Sequence, residues 1–285
     1  MVTEAVATTR GRQRHRPLAA ILAMVKLGRL QIAGLAAFPY LLGPLASDAS
    51  LRAGQLAALV LLGVLFNAYG CTVNDLADAR TDRLNPVRQR SPMVDGSTTR
   101  RFALVFAAVQ ALAIVALGSR LSTGRGVLVL TVFVLLLIAS YGNVYQKRFG
   151  GLHPPAMDLL FGMFMAAPLL LASEIAGGRI SAFLFLLTCA FALHAALLNA
   201  LIGNLKDLAH DHSVRAKTSA ILLGARQANQ KGPVQVTRAY AIYVLALATI
   251  GNAALVGAVV GNAVDPPHLD AVVLITGMVV VRVSA

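Results

Sequence analysis

The sequence predicts an all-α fold, a multi-pass bundle of transmembrane helices. Three observations predict it. Of 285 residues, 57% are hydrophobic and only 13% charged, with a mean hydropathy of +0.71, whereas soluble domains carry about 25% charged residues. Apolar runs of about 20 residues, the length that crosses a bilayer, recur along the chain. Basic residues gather in alternate loops, as they do when those loops stay on the cytoplasmic side.

Taken in order, residues 1–17 are polar and carry Arg10, Arg12, Arg14 and Arg16. The apolar segment that follows is too long for a signal peptide, so this stretch reads as a retained cytoplasmic tail. Residues 18–285 read as one membrane domain. Its apolar runs fall at about 18–46, 54–74, 102–119, 126–145, 155–175, 180–203, 236–262 and 269–283, eight candidate spans. The first contains Lys26, Arg29 and Gln31, which are costly in lipid, so it is expected to begin at the interface. Pro39, Gly43 and Pro44 lie late in it. Pro154 and Pro155 open the fifth run, where proline suits a first helical turn. Pro168 predicts a kink inside that run. Pro266 and Pro267 start the eighth. Cys71 and Cys189 sit in or beside apolar runs and read as packing residues rather than a disulfide.

The net charge of +13 raises the possibility of nucleic acid, and loop asymmetry explains it better. With the N-terminus inside, 21 of the 25 Lys and Arg lie on one side, and only Arg52, Arg120, Arg125 and Arg179 on the other. The expectation is a cell-membrane protein with a cytoplasmic N-terminus and no nucleic-acid partner.

Two polar stretches break the apolar pattern on that inner side. Asn74, Asp75, Asp78 and Asp82 follow the second run. Helical positions three or four apart share a face, so the three aspartates form a carboxylate stripe. Asn204, Asp207 and Asp211 follow the sixth run, the aspartates again four apart. Five of the twelve acidic residues lie in these two stripes. Such a stripe repels itself unless a cation sits on it. Mg²⁺ suits it, because that ion takes a few carboxylates and completes its shell with water and phosphate oxygens. The plainer alternative is two loop helices with acids at their ends. His210 and His212 flank Asp211, but no Cys or spaced His completes a zinc set.

The pair of motifs, N-D-x-x-D-x-x-x-D after the second span and D-x-x-x-D after the sixth, resembles the UbiA superfamily of intramembrane prenyltransferases. Arg90-Ser-Pro-Met-Val-Asp-Gly96 stands where that family has an R-P-L-P-S-G-like run. Tyr141 to Arg148 resembles its Tyr-rich fourth span, and Lys217-Thr-Ser-Ala-Ile-Leu-Leu-Gly224 its K-T-x-A-x-x-L-G run. The resemblance covers roughly residues 20–285. It implies an active-site cavity at the cytoplasmic side, with Asp75, Asp78, Asp82, Asp207 and Asp211 as catalytic and metal-binding residues for Mg²⁺ and a prenyl diphosphate. Asn74 and Asn204 belong to the same motifs and are expected at the substrate. Arg29 is the candidate for the basic residue that the family's first helix brings to the diphosphate.

Arg88, Arg90, Lys147 and Arg148 stand where the family has basic groups near the phosphates, although positive-inside anchoring accounts for any one of them equally. In Arg88-Gln-Arg-Ser-Pro92 the proline is displaced by one residue from the family pattern. Tyr141 and Tyr145 either steady an allylic cation or are interfacial aromatics. Asp158, His194 and Asn199 are polar residues within spans and should face the bundle interior. Asp158 reads either as a base or acceptor-pocket residue, or as a polar group satisfied by a neighbouring helix. The family usually has nine spans, so a ninth is expected to be absent or the chain short of its relatives.

The implied reaction is Mg²⁺-dependent transfer of a prenyl group to a hydrophobic or aromatic acceptor, such as a quinone precursor, in contact with membrane lipid. Its alternative is cyclisation of the prenyl diphosphate to a terpene, which shares the ionisation step. An ion-coupled transporter would place its acids near the bilayer midplane, not at span ends. An alcohol phosphotransferase would need D-G-x-x-A-R, and here Asp95-Gly96 is followed by Ser-Thr-Thr.

Overall fold

The computed structural model describes residues 17–85, 88–122, 153–228 and 232–261. The fourth and eighth apolar runs lie outside the described residues, as do Tyr141, Tyr145, Lys147 and Arg148. The helices are α1 (Pro17–Leu27), α2 (Ala33–Leu45), α3 (Ala53–Asp82), α4 (Arg100–Leu121), α5 (Pro154–Ile175), α6 (Ala182–Leu198), α7 (Leu208–Ser213), α8 (Ser219–Leu222) and α9 (Arg238–Gly261). A two-stranded antiparallel ribbon pairs Arg226 with Gln235 and Gln227 with Val234, just before α9. Among the described residues, five helices are long and apolar enough to cross a membrane, and six crossings result when α1 and α2 are taken as one bent span.

That bend corrects the sequence reading of 18–46 as a single run. The helix breaks at Gly28 and Arg29 and turns by 50°. Arg29 lies in the left-handed region, φ 44° and ψ 48°, which a non-glycine residue rarely adopts. The break is held from outside: Asn67 on α3 donates its side-chain amide to the Gly28 carbonyl at 2.7 Å. A carbonyl freed from helix bonding within an apolar bundle needs such a donor.

Helix α3 runs past the expected end of the second span near residue 74 and continues to Asp82, so one helix carries the whole first motif. Helix α5 opens with Pro154 and Pro155 in its first turn and is unbroken through Pro168. Thr99 and Ser181 cap α4 and α6, each side-chain oxygen accepting from the amide three residues on.

The long helices pack in the spatial order α4, α3, α2, α5, α6, α9. In a membrane no apolar driving force separates helix from lipid, so close backbone approach through small residues does much of the work. Three successive interfaces use a glycine in this way. A Cβ on Gly63 would lie 2.4 Å from Ala37 Cα, one on Gly43 2.0 Å from the Leu169 carbonyl oxygen, and one on Gly162 2.1 Å from that of Ala192. Inside, Phe66 stacks near Phe164 with ring centroids 4.5 Å apart, and Tyr40 meets Phe66 edge-on at 6.1 Å. Apolar side chains also point outward, such as Val105 and Leu112 on α4 and Leu245 and Val256 on α9, as helices facing lipid require.

Candidate active site

The last two turns of α3 present Asp75, Asp78 and Asp82. Asp75 and Asp82 are buried, Asp78 and Asn74 are half-buried, and Arg80 is exposed. The strained break before α2 aims Arg29 at this stripe: its guanidinium donates to Asp75 Oδ1 at 2.8 Å, across 46 residues of sequence. The partner on that helix is thus a carboxylate with a side chain only 4% exposed, where a charge-assisted bond is strong.

The second stripe follows α6. That helix winds into a π-helical turn over Asn199–Asn204, after which Asp207 precedes α7 and Asp211 lies within it. The Asp211 amide donates to the Asp207 carbonyl at 2.8 Å, so the two aspartates are one turn apart. Asp211 is buried and Asp207 half-buried.

Electrostatics tie the two stripes together. Asp82, beyond the apolar part of α3, is pushed from the ordinary 3.8 up to about 6. Burial is the largest cause, the neighbouring Asp78 charge the next, and Asp75 and Asp207 add to it, while Arg88 opposes. Asp207 is 125 residues away in sequence and acts on Asp82 because the fold brings the two within electrostatic range. The result is a partly dehydrated acidic cluster in which carboxylates outnumber the basic groups that offset them.

The UbiA prenyltransferase family model matches residues 36–284. This chain is a member of the UbiA prenyltransferase family. Its fold agrees with solved family members. A UbiA homologue from Aeropyrum pernix K1, in its apo form, superposes with a TM-score of 0.65 at 20% identity, covering 92% of this chain and 87% of that one. A UbiA homologue from Archaeoglobus fulgidus, bound to GPP and Mg²⁺, gives 0.66 at 16% identity, covering 91% and 85%. Digeranylgeranylglyceryl phosphate synthase gives 0.63 at 14% identity, covering 82% and 76%. No curated protein matches the sequence.

In this UbiA chain the donor set is oxygen-only at the acidic cluster. Among the described residues no three acidic, His or Cys side chains close around a point tightly enough to hold a metal by themselves. Mg²⁺ characteristically takes one or two carboxylates and keeps waters and phosphate in its remaining positions.

The other expected residues divide. Arg88 is half-buried and its charge bears on Asp82. Arg90 is exposed. His210 is buried and His212 exposed. Cys71 and Cys189 are free thiols. Asn204 is buried and already engaged: its amide donates to Asp158 Oδ1 at 3.2 Å and to Ser219 Oγ at 2.9 Å. Asp158 is 3% exposed and also accepts from Asn199 at 2.8 Å, Ser219 Oγ at 2.5 Å and Tyr243 OH at 2.8 Å. It is therefore a polar group satisfied by neighbouring elements. His194 bonds the Ala190 carbonyl on its own helix and Asn252 on α9.

Sequence reasoning missed three participants. Asn67 carried a signal, an amide inside an apolar span. Ser219 stood inside the K-T-S-A run, and Tyr243 on the apolar helix α9, but nothing in their spacing pointed to Asp158.

Proposed function

We propose that this protein transfers a prenyl group from an allylic prenyl diphosphate to a small hydrophobic or aromatic acceptor, using Mg²⁺, at the cytoplasmic face of the cell membrane. Residues 1–17 would be its basic cytoplasmic tail. The single observation that carries the reading is the influence of the Asp207 charge on Asp82, beside an Arg29 bound to Asp75, which supports one site served by both stripes. Family membership supports it, as do the neighbours from Archaeoglobus fulgidus bound to GPP or DMAPP with Mg²⁺.

Asp75, Asp78 and Asp82 would hold one side of the metal–diphosphate assembly, and Asp207 and Asp211 the other. When bound, Mg²⁺ offsets the charge that builds on a leaving diphosphate. Arg29 and Arg88 add fixed positive charge beside the same oxygens, an effect worth most in a partly dry pocket. Asn74 would bind the diphosphate from the first motif. Arg90, Lys147, Arg148, Tyr141 and Tyr145 enter this reading through the family motif alone. The apolar interior around Phe66 and Phe164 excludes water, which would otherwise quench an allylic cation.

The test is incubation of purified protein with Mg²⁺, geranyl, farnesyl and geranylgeranyl diphosphates and a panel of hydroxylated aromatic acids, with extracts analysed by mass spectrometry. A prenylated acceptor is expected, and its loss in Asp78→Ala and Asp207→Ala. A cyclic hydrocarbon formed without acceptor would replace transfer by cyclisation. Near-normal activity in both variants would overturn the two-stripe site.

A further inference from the structure

Among the described residues, a buried polar cluster outside the acidic site is centred on Asp158 of α5, and its other members lie on α9 and on the segments immediately before and after the second motif. Asn199 and Asn204 are the two ends of the π-helical turn. Both donate to the same oxygen, Asp158 Oδ1. Five residues apart is the hydrogen-bond spacing of a π turn. In a regular α-helix the same two side chains would diverge by about 140° and could not meet on one oxygen. The turn also disturbs the regular backbone bonding, and the Ala200 carbonyl inside it accepts from Tyr240 OH at 2.6 Å. Tyr243, three residues along the same face of α9, donates to Asp158 Oδ2. Ser219, which opens α8 just after the second motif, donates to that oxygen as well. Gly203 makes room: a Cβ there would lie 2.7 Å from Asn199 Oδ1.

Asp158 therefore reaches the chain on both sides of Asp207 and Asp211. Asn204 lies three residues before Asp207, and Ser219 eight residues after Asp211. Regular α-helix through 199–204 would rotate the approach to Asp207 and lengthen it, because an α-helix rises more per residue than the wider π turn. We propose that Asp158 is a positioning residue: it sets the π turn and thereby the direction in which Asp207 and Asp211 face the first motif. This rests on the two-stripe site proposed above. All four donors to Asp158 are accounted for, so the carboxylate has no free lone pair directed at substrate and does not serve as a base.

Substitution separates the possibilities. Asp158→Asn keeps the shape and one carbonyl oxygen for Asn199 and Asn204, while the Ser219 and Tyr243 hydroxyls reverse to accept from its amide. Asp158→Leu removes all four bonds. Metal affinity is read independently of turnover, as Mn²⁺ binding to purified protein with inorganic pyrophosphate, followed by electron paramagnetic resonance. We expect Asp158→Leu to weaken Mn²⁺ binding about 10- to 100-fold, the range for removing a group that orients a metal ligand, and Asp158→Asn to stay near wild type. Should Asp158→Leu fail to fold, Tyr243→Phe, which deletes one donor, is expected to weaken binding in the same direction with the Tm nearly unchanged. Equal loss in Asp158→Asn and Asp158→Leu would assign Asp158 to chemistry instead, and wild-type affinity in Asp158→Leu or in a folded Tyr243→Phe would reduce it to packing. Failure of the wild-type protein to bind Mn²⁺ with pyrophosphate would instead overturn the two-stripe site, and this inference with it.

Discussion

Arg29 and Asp75 meet at 2.8 Å, and the meeting depends on a helix break that a third residue, Asn67, holds open. The left-handed backbone at Arg29 costs of order 1 kcal/mol or more, so it persists only because the surroundings fix it. The first prediction concerns this pair. Arg29→Ala should lower kcat by about 100- to 1,000-fold, the effect of removing one group that stabilises developing charge. Arg29→Lys, a point charge without the planar fork, should recover part of it. Steady-state turnover of geranyl diphosphate checks both.

Asn67→Ala leaves the Gly28 carbonyl without its donor in an apolar setting. A loss of about 1–3 kcal/mol in stability is expected, read as a lower Tm in detergent. Because the break also aims Arg29, activity measured well below that Tm should fall too, which a purely structural role would not produce.

Much of this was legible in the sequence, for reasons that are physical. The apolar runs had to be helices because a membrane leaves the backbone no other partners, and the two aspartate stripes had to be solvated or metal-bound. Asn204 shows where legibility ends. Its place in the second motif suggested the substrate, yet its amide is spent on Asp158 and Ser219, because the helix locally follows a five-residue spacing instead of a four-residue one. The break at Arg29 was hidden for a similar cause. It lies at Gly28 and Arg29, and the partner that takes up the freed carbonyl, Asn67, comes from another helix and cannot be read within residues 18–46.

The close helix contacts make a second kind of prediction. Gly43→Val would drive a side chain into the Leu169 backbone, 2.0 Å from the added Cβ. Over-packing of this sort costs about 1–3 kcal/mol and often more. Gly54, where an added Cβ meets nothing within 4 Å, provides the control, and Gly54→Val should leave the thermal midpoint nearly unchanged.

Asp82 gives a pH dependence. Its carboxyl is raised from 3.8 to about 6, so the folded protein binds this proton more tightly than the unfolded chain does. Stability from this group is fully present below 3.8 and is lost as pH rises through about 6. A bound divalent cation favours the charged form and reverses the trend. Stabilisation of the protein by Mg²⁺ with pyrophosphate should therefore be large at pH 7.5 and shrink progressively below about pH 6, measured as the shift in Tm on addition. A shift that does not change with pH would remove Asp82 from the metal site.

The central claim is that both stripes serve one diphosphate, and a double-mutant cycle tests it directly. Pyrophosphate release from geranyl diphosphate with Mg²⁺ would be measured for wild type, Asp82→Ala, Asp207→Ala and the double variant. Groups that act as a unit are strongly non-additive. Each single variant should lose nearly all turnover, with the double variant scarcely worse than either. Single losses that simply multiply in the double variant, or near wild-type release in either single, would contradict a shared site.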